Sequence, residues 1–233
     1  PLVSTEKVRL NILSSRINPT LSSLGLYNSP PTVEIKPGGG AFIENLDVKL
    51  STNKEYAKIH FTTNGDEPTE KSTLYKKPIK ISQPTIIKTI AVSKDGTIGL
   101  VSTAHYNKAK YGIVLSSQYS SKYDAGGNLG LIDGVWGGNS YSDGNWQGYE
   151  GNDLEAVVDL GEIKQVSDVS VGFAQNIKSW VFMPESVSIA VSNDGKDFKI
   201  VANLSNDVPA KKEGDLRKKF RANVGRNARF VKV

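Results

Sequence analysis

Residues 134–159 read GVWGGNSYSDGNWQGYEGNDLEAVVD, which sets Trp136, Tyr141, Trp146 and Tyr149 among glycines and short polar residues. An exposed aromatic ring stacks on the C–H face of a pyranose, while Asp, Asn and Gln take its hydroxyls. That chemistry suits a shallow polar ligand such as a sugar. Tyr149, Trp136 and Tyr141 are the expected platforms, with Asn139, Gln147, Glu150 and Asn152 as polar partners. Bland alternatives stand beside each. Trp146 is expected to plug the end of its domain, and Tyr149 and Trp136 divide evenly between stacking on ligand and packing beneath the loop. Glu150 and Asp153 can instead lock the loop by accepting backbone N–H groups. Trp180 and Phe182 share a face by alternation and are expected in the core.

Catalytic chemistry has little to work with. The only histidines, His60 and His105, fall in strand-like stretches. Asp143 with Glu150 or Asp153 could make a glycosidase carboxylate pair, but nothing around them builds a cleft. The absence of cysteine removes thiolate nucleophiles, disulfides and sulfur-ligated metals. Gly38, Gly39 and Gly40 lack the lysine and helix of a phosphate loop. The residues favour a binding module over an enzyme.

The elements that must hold these loops are strands. Residues 8–12 (VRLNI), 47–50 and 58–62 alternate, and 86–92 (IIKTIAV) is almost continuously apolar. Residues 154–160, 166–173, 187–191 and 198–202 also have strand character, and Asn193-Asp194-Gly195 is a strong hairpin turn. No long helical stripe appears. A chain of 233 residues, 38% apolar, accommodates two compact domains. The expected architecture is therefore all-β: one sandwich over residues 28–108, entered through Pro30-Pro31, and a second over 109–233, joined by a hinge around 107–113. Residues 1–27 read as the closing strand segment of a truncated upstream domain.

The net charge of +5 is unevenly placed. Lys211, Lys212, Arg217, Lys218, Lys219, Arg221, Arg226, Arg229 and Lys232 face only Glu213 and Asp215, whereas residues 124–159 carry seven carboxylates. This polarity argues against a continuous nucleic-acid track and leaves a solvated edge or a patch for an anionic polymer. No run is long enough to span a membrane, so membrane insertion is not expected.

Two segments resemble known families. Residues 59–75 (IHFTTNGDEPTEKSTLY), followed by Pro78-Ile79 and the IIKTIAV strand, resemble the immunoglobulin-like domain at the carboxyl end of chitobiases and β-hexosaminidases. Asn64-Gly65 supplies its turn, with Thr62 or Thr69 bonding across it. The resemblance implies a spacer without catalytic residues.

The second half is similar to the discoidin-type, or coagulation factor 5/8 type C, jelly-roll sandwich. It does so through Leu131-Ile132-Asp133-Gly134, Trp146 to Gly151 (WQGYEG), VVDLG at 157–161, WVFMP at 180–184 and VSIAVSNDG at 187–195. Such modules accompany bacterial β-hexosaminidases and α-fucosidases. The resemblance implies a noncatalytic accessory region of a periplasmic or extracellular bacterial glycosidase, whose partners are a glycan and an upstream catalytic domain. A purely structural scaffold is the alternative. It also implies a structural Ca2+ near Asp124, Asn128 and Asp133. One departure is the lack of any histidine in the second half, where the family's sugar sites commonly use one. The last strand, 227–233, is normally followed by one more, and residues 7–27 resemble such a closing segment; pairing between them, within a chain or by strand exchange between copies, would satisfy both.

Overall fold

A computed structural model describes residues 7–16, 18–25 and 29–233. In the first sandwich, a three-stranded sheet of β1 (Val33–Lys36), β3 (Leu46–Thr52) and β6 (Ile79–Ile81) faces a five-stranded one. The latter runs β2 (Gly40–Phe42), β8 (Ser102–Lys108), β7 (Thr85–Val92), β4 (Lys58–Thr62), β5 (Thr73–Leu74). The alternating strands turn Val48, Leu50, Ile59, Ile87, Ala91 and Tyr106 into one core. Each fully buried Val or Ile contributes roughly 1.5–3 kcal/mol. The turn after β4 is tied as its sequence suggests: Thr62 donates through its hydroxyl to the Asp66 carbonyl at 2.7 Å, and Asn64 and Asp66 bond to each other.

The second sandwich is one five-stranded sheet ordered β12 (Lys199–Ser205), β11 (Ser186–Ser192), β13 (Leu216–Lys232), β10 (Ala156–Gln175), β9 (Gly112–Leu115). Most of the stretch 154–160 and all of 166–173, which alternation separates, fall in the single strand β10. It bends where the register with β13 breaks between Asp159 and Lys164, next to Gly161 at φ 84°. At that corner Arg229 clamps Asp159 through two bonds of 2.9 and 3.0 Å, which holds the carboxyl below its usual range. Because β10 and β13 bend together, their far halves fold over β11. Phe220, Ala222 and Val224 thereby join Val187, Ile189, Val191 and Val231 in one core.

The connection between sandwiches is shorter than the expected hinge, only residues 109–111, and the Ala109 N–H is bound to the Phe42 carbonyl at 2.8 Å. Residues 8–12, expected as a strand, enter no ladder among the described residues, and Val8, Leu10 and Ile12 are all more than half exposed. Residues 26–28, where the first domain is expected to begin, lie outside the described residues.

Candidate functional site

The aromatic loop runs from β9 to β10 and is built from the inside outward. Trp146 is half-buried and donates its indole N–H to the Gly138 carbonyl at 3.3 Å. Gly137 lies flat on that indole; a Cβ there would sit 2.1 Å from the ring. The Asp143 carboxylate takes the Gly138 N–H, and the Asn145 N–H at 2.8 Å. From β13, Arg217 reaches across to donate to the Gly137 carbonyl at 3.1 Å. These ties lift Trp136 onto the outer face of the sheet, 54% exposed, with its ring against Gly172 and the Lys219 ammonium 3.7 Å from the ring centroid.

Of the other residues of the expected site, Tyr141, Gln147 and Tyr149 are partly buried and tied to the loop. Gln147 spends its amide nitrogen on the Asp124 and Gly127 carbonyls at 3.2 and 2.8 Å, and its oxygen accepts from the Tyr149 hydroxyl at 2.9 Å. Tyr149 is half-buried, and that burial, with Tyr119 nearby, pushes its hydroxyl up to about 12. In this arrangement Tyr149 braces the loop through Gln147. Tyr141 packs edge-on against Tyr123 with centroids 5.9 Å apart, and Asn152 braces the Gln118 carbonyl at 3.0 Å. Asn139 and Glu150 are exposed, and their side chains make no hydrogen bond or ion pair among the described residues.

Sequence reasoning missed a second exposed aromatic pair. Trp180 and Phe182, expected in the core, are 84% and 53% exposed and meet edge-to-face at 6.4 Å. β10 ends at Gln175. Asn176 then caps a tight turn over Ile177–Ser179 and leaves Trp180 left-handed at φ 59°, ψ 32°. The two rings do share a face, as alternation implies, but after the turn that face meets solvent and not the core. The signal was the polar run Gln-Asn-Ile-Lys-Ser before Trp180, a capping residue followed by a turn. Asn176 also donates to the Asp215 carboxylate at 2.6 Å. Thus Asp215, just before β13, is tied to the Trp180 turn, and Arg217, near its start, to the Trp136 loop.

Residues 113–233 match the F5/8 type C domain, over half of the chain. The chain belongs to that family. Residues 37–103 match the chitobiase/β-hexosaminidase C-terminal domain, so an immunoglobulin-like sandwich precedes a discoidin-type one, and both are noncatalytic accessory types. No curated protein matches the chain. Similar solved structures include a SusE-like protein, 12% identical, covering 86% of this chain and 87% of its own, at a TM-score of 0.33. A fucolectin from striped bass serum is 15% identical over 76% of this chain and 64% of its own, at 0.34. A glycoside hydrolase is 13% identical over 77% and 40%, at 0.31.

In this F5/8 type C domain the residues expected around calcium are already engaged. Asp124 accepts from the Gly126 N–H, Asn128 from the Tyr119 hydroxyl, and Asp133 from the Val135 N–H and, at 3.4 Å, the Asn107 amide of the first sandwich. Two carbonyls converge as they would on an ion, but they converge on the Gln147 amide. As arranged, the set does not fit an ion unless Gln147 is displaced. Among the described residues, no cluster of three or more His, Asp or Glu side chains is placed to hold a metal, and no helix is long and apolar enough to cross a membrane. An open concavity of about 630 Å³, lined by Ser116, Ser117, Tyr119, Ser120 and Asn128 among others, lies beside β9.

Proposed function

We propose that the chain is a noncatalytic, carbohydrate-directed accessory region of a larger bacterial glycoside hydrolase acting outside the cytoplasm. In this reading the second sandwich touches glycan and the first spaces it from its neighbours. The observation that carries the reading is the pair of exposed tryptophans, Trp136 and Trp180, whose loop and turn are each tied to the beginning of β13, one through Arg217 and the other through the preceding Asp215. A core has no use for a ring 84% exposed on a left-handed residue, whereas a sugar does. The site is open and shallow, so a dissociation constant near millimolar, about 4 kcal/mol, is expected. Such weakness becomes useful through tethering to an enzyme.

The scaffold reading draws support from Tyr141, Trp146 and Tyr149, all of which hold the loop and not a ligand. A glycan-array screen of the whole chain, followed by titration of any hit, separates the two. Saturable binding is expected, reduced at least about tenfold in Trp136→Ala and Trp180→Ala while both variants keep the parental circular dichroism. Binding is expected with calcium and with chelator alike, because Gln147 already holds the carbonyls that an ion would take. Silence across the array, or binding indifferent to both tryptophans, would leave the scaffold.

A further inference from the structure

The outer face of the β10–β13 ribbon is chemically one-sided. Alternation sends Phe220, Ala222 and Val224 of β13 into the core, so Arg217, Lys219 and Arg221 form a row on the opposite, exposed face. Their register partners on β10 are Ala174, Gly172 and Ser170. Nothing bulky therefore stands across from the cations, and the strip is a shallow trough walled at one place by Trp136. Gly172 makes that wall possible, since a Cβ there would come within 3.0 Å of the indole.

The charges on this strip are incompletely answered. Arg221 pairs with Asp168 at 3.0 Å. Arg217 gives an N–H to a neutral carbonyl, and Lys219 faces only the indole; neither has a carboxylate partner among the described residues. Guanidinium and ammonium groups are donors with no acceptor capacity. A neutral sugar, whose hydroxyls both give and take, leaves half its demands unmet on such a surface. A ligand with anionic oxygens meets it fully, and the arginine fork suits a carboxylate or sulfate in particular.

Resting on the glycan reading above, we propose that the ligand class is an anionic saccharide, one bearing uronate carboxylates or sulfate esters. Trp136 stacks on the ring of the bound sugar, while Lys219 swings from the indole to its anionic group and Arg217 takes a second oxygen. Nucleic acid is disfavoured because the strip is short and its neighbouring loop, residues 124–159, is acidic.

The test is calorimetric titration of the full chain with a trigalacturonate, a chondroitin-sulfate tetrasaccharide, a neutral galactose trisaccharide and a short single-stranded DNA. At least one anionic sugar is expected to bind about tenfold tighter than the neutral one, and the two anionic arms tell carboxylate from sulfate. The preference should fade between about 0.05 and 0.5 M salt. Lys219→Gln is the decisive variant, since Arg217 also holds the Trp136 loop: it should abolish the preference, and Lys219→Arg should restore it. Equal affinity for neutral and anionic sugars, a preference that survives Lys219→Gln, or DNA binding as tight as the sugars would each overturn the proposal. If Trp136→Ala removes binding of a neutral sugar while charge makes no difference, this inference fails and the glycan reading stands. If no sugar binds at all, both fail.

Discussion

Trp180 is held where a side chain is least welcome. A left-handed conformation costs a non-glycine residue roughly 1–2 kcal/mol, and a ring this exposed recovers little of that by packing. Trp180→Gly should therefore leave thermal stability unchanged or raise it by up to about 1 kcal/mol, because relief of strain opposes glycine's greater unfolded-state entropy. Glycan affinity should fall in the same variant. A stability gain coupled to a binding loss, read by thermal melts and titration on one sample, marks a residue kept for its ligand; a clear fall in stability would mean that the ring packs. Gly137→Ala should lower stability and binding together. Its methyl would collide with the Trp146 indole, costing roughly 1–3 kcal/mol and dislodging the loop that carries Trp136. The residue types of this site were legible in the sequence, since glycine-spaced aromatics announce a loop. Which ring faces outward was not, because that depends on partners far along the chain, such as Arg217 on Gly137 and Lys219 on Trp136.

Strands were easier to read than rings because alternation is a local property, and the turn between β11 and β12 shows why. Asn193-Asp194-Gly195 announces a hairpin, and the Asp194 carboxylate then accepts the N–H groups of Lys196 and Asp197 and the Ser192 hydroxyl. Those bonds, the Lys196 N–H foremost, pull its pKa from 3.8 to about 2. A depressed carboxyl stabilises the fold fully above its ordinary value and loses that contribution as pH falls towards the folded one. Its share of stability should thus disappear between pH 3.8 and about 2. Asp194→Asn keeps an oxygen for the same N–H groups but cannot titrate, so its melting temperature should fall less steeply than the parent's across that window. Parallel slopes would show that other carboxylates dominate the acid limb. What alternation could not reveal is the bend in β10, set by its register break with β13, or the fate of residues 8–12, which have the pattern of a strand but no ladder.

At the scale of the whole chain, the proposed spacer role requires the first sandwich to transmit position, and the contact between the two sandwiches is where that property would reside. Gly40 of β2, at φ 107°, meets Gly126 of the second sandwich so closely that a Cβ would lie 2.7 Å from the Gly126 carbonyl oxygen. The Asn107 amide reaches Asp133 at 3.4 Å beside it, and the connection is only residues 109–111. Gly40→Ala should therefore do two things: impose backbone strain of roughly 1–3 kcal/mol and push the sandwiches apart. Gly96→Ala supplies the control, since Gly96 has a similar φ of 82° with nothing within 4 Å, and so carries strain alone. Both variants should melt earlier than the parent, but only Gly40→Ala should gain a protease-sensitive site in residues 109–111 and a broader interdomain distance distribution in solution scattering. Identical behaviour of the two would mean that the glycine contact does not fix the orientation. Because effective concentration depends on the stiffness of the connection, the same comparison decides whether the first sandwich aims the strip proposed to bind glycan or only tethers it.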